Sequence, residues 1–285
     1  MGRRASLALL RLSGALAVTV VLAQIAYPLT SGEPLRLLTI GIVLCFAAAS
    51  LVHAWSARGG IWALRLLTVA GGIGLTAEAI GVRTGVPFGR YAYADALGPQ
   101  LLDVPLIVPL AWVMMSYPCL LLGRRLGRGH RPVVALTGGL TLAAWDLFLD
   151  PQMVAAGRWV WADPVPALPG VPGIPVSNFV GWLLVAVVMV AVLDATLSPA
   201  EDADATVPAA LLAWTWIGST IGNALFFHRP AVAVWGGVAM GVCSGPYLLS
   251  MWRSSDWPSW DPRSPDRSPH PRAAHQRSAE QRRRP

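Results

Sequence analysis

"PVVALTGGLTLAAWDLFLD", residues 132–150, is apolar for most of its length and then carries two carboxylates, Asp146 and Asp150. As a helix rising 1.5 Å per residue it spans about 28 Å, close to the roughly 30 Å of a bilayer's hydrocarbon core. Seven more runs of similar length lie on either side of it, at about 7–27, 35–54, 61–82, 104–122, 178–197, 207–227 and 231–252. The composition agrees: 54% of residues are hydrophobic and 13% are charged, about half the charged share of a soluble domain. The sequence therefore predicts an all-α, polytopic integral membrane bundle of about eight transmembrane helices in the cell membrane. Pro105, Pro109 and Pro118 would kink the fourth span.

All 22 basic residues are arginine, and their placement carries the topology. Arg3, Arg4 and Arg11 open the first span, Arg58 follows the second, and Arg124, Arg125, Arg128 and Arg131 fill the loop after the fourth. By the positive-inside rule these segments, and both termini, are expected to be cytoplasmic. The net charge of +7 is then topology rather than a nucleic-acid signal, and no nucleic-acid partner is expected. No small-residue cleavage site follows the first span, so it is read as a retained helix. Residues 1–252 form the expected transmembrane catalytic domain. Residues 253–285, rich in Pro, Ser and Arg, are expected to be a disordered cytoplasmic tail. Cys45, Cys119 and Cys243 have unrelated spacings inside apolar runs, which offers neither a disulfide framework nor a metal site.

With this orientation the polar residues of the spans gather at the non-cytoplasmic end. Glu78 is near the end of span three, and the polar loop "GVPFGRYAYADALGPQLLDVP", residues 85–105, follows it. Asp146 and Asp150 close span five, Asn178 opens span six and His228 ends span seven. Charged residues cost about 2.5–3.5 kcal/mol each at a span's centre, so they point to function or to pairing. Arg83 and Arg90 are the available partners for a salt bridge. Asp146 and Asp150, four apart on one helix face, cannot both ionise easily in a dry site, which keeps one protonated as a proton donor. A magnesium site and a pair facing water are the alternatives. Pro151 is expected to end the helix. In the loop, "VPFG" suits a type I turn, and "RYAYAD" lies on the membrane or dips back into it. Phe88, Tyr91, Tyr93, Trp159, Trp161, Phe179 and Trp182 crowd the same end. They form either an interfacial belt or, turned inward, a cation-stabilising wall. Glycines spaced four apart at 218–222 and 237–245 read as packing seams.

Three segments, "GVPFGRYAYADALGPQLLDVPLIVPLAWVMMSY", "AAWDLFLDPQMVAAGRWVW" and "GIPVSNFVGW", together resemble the membrane carotenoid biosynthesis protein family. That family includes carotenoid 1,2-hydratases of the γ-carotene and bisanhydrobacterioruberin type. The resemblance runs over roughly residues 70–185. It implies addition of water across the terminal double bond of an acyclic ψ end, leaving a tertiary alcohol at C1, with no cofactor. The residues suggest the roles. Asp146 and Asp150 are candidates for the acid and its carboxylate partner, with Glu78 or Asp103 as the base that takes the water's proton. Tyr91, Tyr93 and Asn178 would position that water, and Arg90, Trp159 and Trp182 complete the substrate-binding set. The expected partners are a carotenoid, water, the lipid bilayer and other carotenoid biosynthesis enzymes. An end-group cyclase, a magnesium-dependent membrane prenyltransferase and a non-catalytic transporter or scaffold remain open.

Overall fold

The computed structural model describes residues 3–94, 97–199 and 204–253. Eight helices carry the chain: α1 Arg3–Ala26, α2 Gly32–Arg58, α3 Gly60–Thr84, α4 Ile107–Gly127, α5 Arg131–Ala155, α6 Val176–Thr196, α7 Thr206–Ile221 and α8 Pro230–Arg253. Eight described segments are long and apolar enough to cross a membrane, and the protein is a multi-pass integral membrane protein. The expected tail after Arg253, and Glu201 and Asp202, lie outside the described residues.

α4 is the most enclosed helix and α1 the least. The tight centre depends on missing side chains. A Cβ on Gly123 of α4 would meet the Val134 carbonyl oxygen of α5 at 2.5 Å, and one on Gly139 would meet the Val187 Cα of α6 at 2.6 Å. Gly237 and Gly241 do form an α7–α8 seam, against Thr220 and Trp216. Gly218 and Gly222 instead face Trp214 and Phe227 of their own segment.

The prolines within α4 and α5 do not end these helices. α4 begins after Pro105 and continues through Pro118. α5 does not end at Pro151 but runs on to Ala155. A proline removes one backbone donor, and within a final turn that loss is small beside the burial of Pro151 and Met153.

Successive spans alternate in direction, so the connections α1–α2, α3–α4, α5–α6 and α7–α8 share one end, here called the capped end. The opposite end is clamped by polar contacts. Arg124 Nε donates to Asp194 Oδ1 at 2.7 Å and the same guanidinium reaches the Leu197 carbonyl. Arg58 donates to the Tyr117 hydroxyl at 2.6 Å, and that hydroxyl also meets His53 Nδ1 at 2.9 Å.

The capped end holds the main departure from the sequence reading. Within the "RYAYAD" loop Tyr91–Tyr93 form a strand, β1, which pairs antiparallel with a strand from the α5–α6 connection, Trp159–Trp161. Between them in sequence, Gln100–Leu101 (β2) and Val104–Pro105 (β3) make a hairpin, turned by Leu102 and Asp103, both at positive φ as a type I′ turn requires. Trp159–Trp161 is therefore β4, and Ala167–Leu168 (β5) pairs with Val171–Pro175 (β6). The "VPFG" turn is wider than type I, closed by Gly89 N–H on the Gly85 carbonyl at 2.7 Å. Alternating β1 side chains suit a ribbon with one face on the bundle and the other outward; Tyr91 is buried and Ala92 exposed.

Candidate active site

The ribbon of β1 and β4 roofs a cavity of about 530 Å³, within the usual range for small-molecule sites. Glycines set the aromatic wall in place. At Gly74 of α3 a Cβ would lie 2.8 Å from the Trp112 ring, and at Gly81 it would lie 2.7 Å from Phe88 and 3.0 Å from the Tyr91 hydroxyl. Gly181 of α6 likewise lets the Pro87 carbonyl come within 2.8 Å of the place a Cβ would take.

Glu78 is buried, 4% exposed, and receives three donors. The Tyr91 hydroxyl reaches Oε2 at 2.5 Å, the Tyr93 hydroxyl reaches Oε2 at 2.7 Å and Trp112 Nε1 reaches Oε1 at 3.0 Å. A carboxylate met by donors alone is held as an acceptor of charge-assisted bonds. Burial, and then the neighbouring Glu78 carboxylate, push both tyrosine hydroxyls well above their ordinary range, so both stay protonated donors.

On α5 and α6 a second cluster forms. Asp146 and Asp150 do share one face, as their spacing predicts, and one amide meets both carboxyls. Asn178 Nδ2 joins them, donating to Asp146 Oδ2 at 3.0 Å and also to Asp150 Oδ2. Trp159 Nε1 adds a bond to Asp150 Oδ1 at 3.1 Å. The two aspartates are not equivalent. Asp150 and Asn178 line the cavity, whereas Asp146 lies behind them, 0% exposed, with Oδ1 unpartnered.

Six of the seven aromatic residues that the sequence crowds at this end line the cavity, namely Phe88, Tyr91, Tyr93, Trp159, Trp161 and Trp182, and Phe179 does not. Trp112 and Trp182 stack with centroids 3.9 Å apart and planes 11° apart. Trp145 meets Trp182 edge-on at 6.0 Å, and Tyr93 meets Trp159 at 5.6 Å. The cavity continues from this wall to the outside of the bundle between α1 and α7, where lining residues Ile25, Leu29 and Ile221 are exposed.

Eight of the ten residues singled out from sequence come together: Glu78, Asp150, Tyr91, Tyr93, Trp159, Asn178 and Trp182 line the cavity, with Asp146 behind them. Asp103 and Arg90 do not join them. Asp103 sits at the turn between β2 and β3, its side chain 66% exposed, paired with Arg83 at 3.2 Å. Arg90, 75% exposed, pairs with Asp163 at 2.6 Å. These pairings also answer the salt-bridge alternative: the two candidate arginines are engaged elsewhere, and among the described residues no salt bridge reaches Glu78, Asp146 or Asp150. No group of three or more His, Cys, Asp or Glu among the described residues is arranged to hold a metal ion. Sequence reading missed Trp112, Trp145 and Phe148. The available signal for Trp112 was an indole N–H inside a span, which needs an acceptor when buried.

Spanning helices around an apolar cavity, with Glu78, Asp146 and Asp150 buried at its capped end, define a membrane-embedded protein that shields these acids from bulk water. The chain belongs to the carotenoid biosynthesis protein family, which matches residues 37–243. It is 37% identical over 143 residues to the bisanhydrobacterioruberin hydratase of Haloarcula japonica. That alignment covers 48% of this chain and 45% of the relative, so the chain matches less than half of the relative's length. No solved structure matches the chain.

Proposed function

We propose that the protein hydrates the terminal C1–C2 double bond of an acyclic carotenoid ψ end, with the Asp146–Asn178–Asp150 cluster as its acid. The observation that carries this reading is the bridged aspartate pair at an apolar cavity, which no salt bridge reaches among the described residues. Two carboxyls bridged by one amide in such a place cannot both ionise easily, which leaves one a proton donor suited to an alkene. Asp150, which faces the cavity, delivers that proton to C2. The electron pair of the double bond forms the new C–H bond, and a tertiary cation is left at C1. Asp146, out of reach of the cavity, positions and charges its neighbour rather than meeting substrate.

Glu78 and the stacked face of Trp112 and Trp182 offset the developing positive charge. A water then attacks C1 and gives its surplus proton to Glu78, which Tyr91 and Tyr93 hold in place. Return of that proton to Asp150 through solvent closes the cycle. The polyene enters from lipid between α1 and α7, and the arginine distribution puts the acid cluster toward the non-cytoplasmic face. The relative's name as a hydratase supports the same chemistry.

Expression in a lycopene-accumulating bacterial host, with chromatography and mass detection, tests the proposal. A new pigment heavier by one water is expected, and it should be absent with Asp150→Asn. An isomer of unchanged mass and shortened chromophore would replace the reading by an end-group cyclase.

A further inference from the structure

At its capped end α7 leaves α geometry: Gly222–Phe226 form one π turn, closed by Phe227 N–H on the Gly222 carbonyl at 2.9 Å. Single π turns recur at functional sites because they re-aim a side chain. The side chain concerned here is Asn223, 1% exposed, which lines the same cavity as Asp150 and Glu78. Its Nδ2 donates to the Ser219 carbonyl at 2.9 Å. That bond fixes the amide's orientation, since the reversed amide would set two oxygens against each other.

Asn223 Oδ1 is left with no donor. Among the described residues, it is the one buried, unpartnered side-chain polar atom that belongs to a residue lining the cavity. Three polar neighbours on the wall are already engaged. Thr215 Oγ1 donates to the Leu211 carbonyl at 2.8 Å, Thr39 Oγ1 to the Leu35 carbonyl at 2.8 Å, and Trp214 Nε1 to Gln24 Oε1 at 2.7 Å. A buried amide oxygen is costly to leave empty, so the position calls for an O–H donor. Water could supply one, but a buried water needs two to four polar partners. The adjoining lining residues Ile221, Phe226 and Phe227 give it none from their side chains. A single acceptor in an apolar wall suits an alcohol carried on an apolar chain.

We propose that Asn223 is a specificity-determining residue whose amide oxygen accepts a hydrogen bond from an alcohol group on the substrate's end group. This rests on the reading of the cavity as a polyene end-group site. Asn223 thus sorts hydroxylated ends from unsubstituted ones, while the acid cluster acts on the double bond.

Binding tests it on the detergent-solubilised full chain, by quenching of tryptophan fluorescence with two polyenes: an acyclic ψ-end carotenoid and the same skeleton bearing an end-group hydroxyl. The unaltered chain should bind the alcohol roughly tenfold tighter. Asn223→Leu should abolish that preference while holding the parent polyene as before. Asn223→Asp, which when protonated can both donate to the Ser219 carbonyl and accept, should keep it and provides the readout if the leucine variant fails to fold. No preference in the unaltered chain overturns the proposal, as does a preference that survives in Asn223→Leu. An equal loss for both polyenes also overturns it, since that places a water or a purely structural role there. The two readings fail separately: a binding preference without a hydrated product sinks hydration alone, and a hydrated product without preference sinks the role of Asn223 alone.

Discussion

Replacing each aspartate of the pair by asparagine should give unequal results, although the two residues are neighbours of the same type. Asp150 accepts at both oxygens, from Trp159 Nε1 at 3.1 Å and from Asn178 Nδ2. An asparagine there has one acceptor, so its NH2 must face a donor whichever way it turns. Stability should fall by about 1–3 kcal/mol. Loss of the general acid should slow hydration by about 10²–10⁴-fold, equivalent to about 3–5 kcal/mol of barrier. Asp146 accepts through Oδ2 alone, with Oδ1 unpartnered. Asparagine at that position keeps the acceptor for Asn178, so the fold should hold, but it removes the second carboxyl that helps keep the proton on Asp150. Activity of Asp146→Asn should fall by about tenfold, clearly less than with Asp150→Asn. Initial rates of product formation in membranes with matched protein amounts, alongside thermal unfolding in detergent, measure both quantities. Equal losses of activity in two folded variants would refute the assignment of Asp150 as the group that meets substrate.

Glu78→Gln keeps the side chain's size but offers one acceptor to three donors and no charge to the cation, so kcat should fall by about 10²-fold with KM little changed; steady-state kinetics read the split. Gly74→Ala puts a Cβ 2.8 Å from Trp112, and overpacking there should cost about 1–3 kcal/mol, visible as a lowered unfolding temperature and altered near-UV dichroism. At the opposite end, Arg124→Ala strands Asp194, whose side chain is 13% exposed, and should destabilise by about 3 kcal/mol; the pair Arg124→Met with Asp194→Leu should recover most of it. Tyr91 and Tyr93 hold their protons more tightly folded than unfolded. The stability they confer is complete below the ordinary value of 10.0 and falls as pH rises beyond it. Tyr91→Phe with Tyr93→Phe should flatten that alkaline decline in thermal unfolding.

The spans were legible because the bilayer imposes a length and a composition that leave their mark residue by residue, and every expected run is a helix. The i, i+4 spacing of Asp146 and Asp150 was legible for the same local reason, since helix geometry alone puts them on one face. Pairing across the chain was not. Nothing between residues 90 and 95 announces a strand whose partner is Trp159–Trp161, because a three-residue ribbon is stabilised by the bundle beneath it and not by its own propensity. Nor could spacing tell Asp103 from Glu78 as an acid of the site; only the fold turns one outward to Arg83 and the other inward to two tyrosines and an indole.

Sequence by itself determined that this chain crosses the membrane repeatedly and sets Glu78, Asp146 and Asp150 near span ends, because hydrophobic length and charge cost are properties of single segments. The tertiary structure decided which acid faces the cavity, which is hidden behind it, and that Asn223 adds an unpaired acceptor to the wall. The placement of the acids depends on how α3 to α6 approach their neighbours through their glycines, and close approach is a property of pairs of segments that no one segment records.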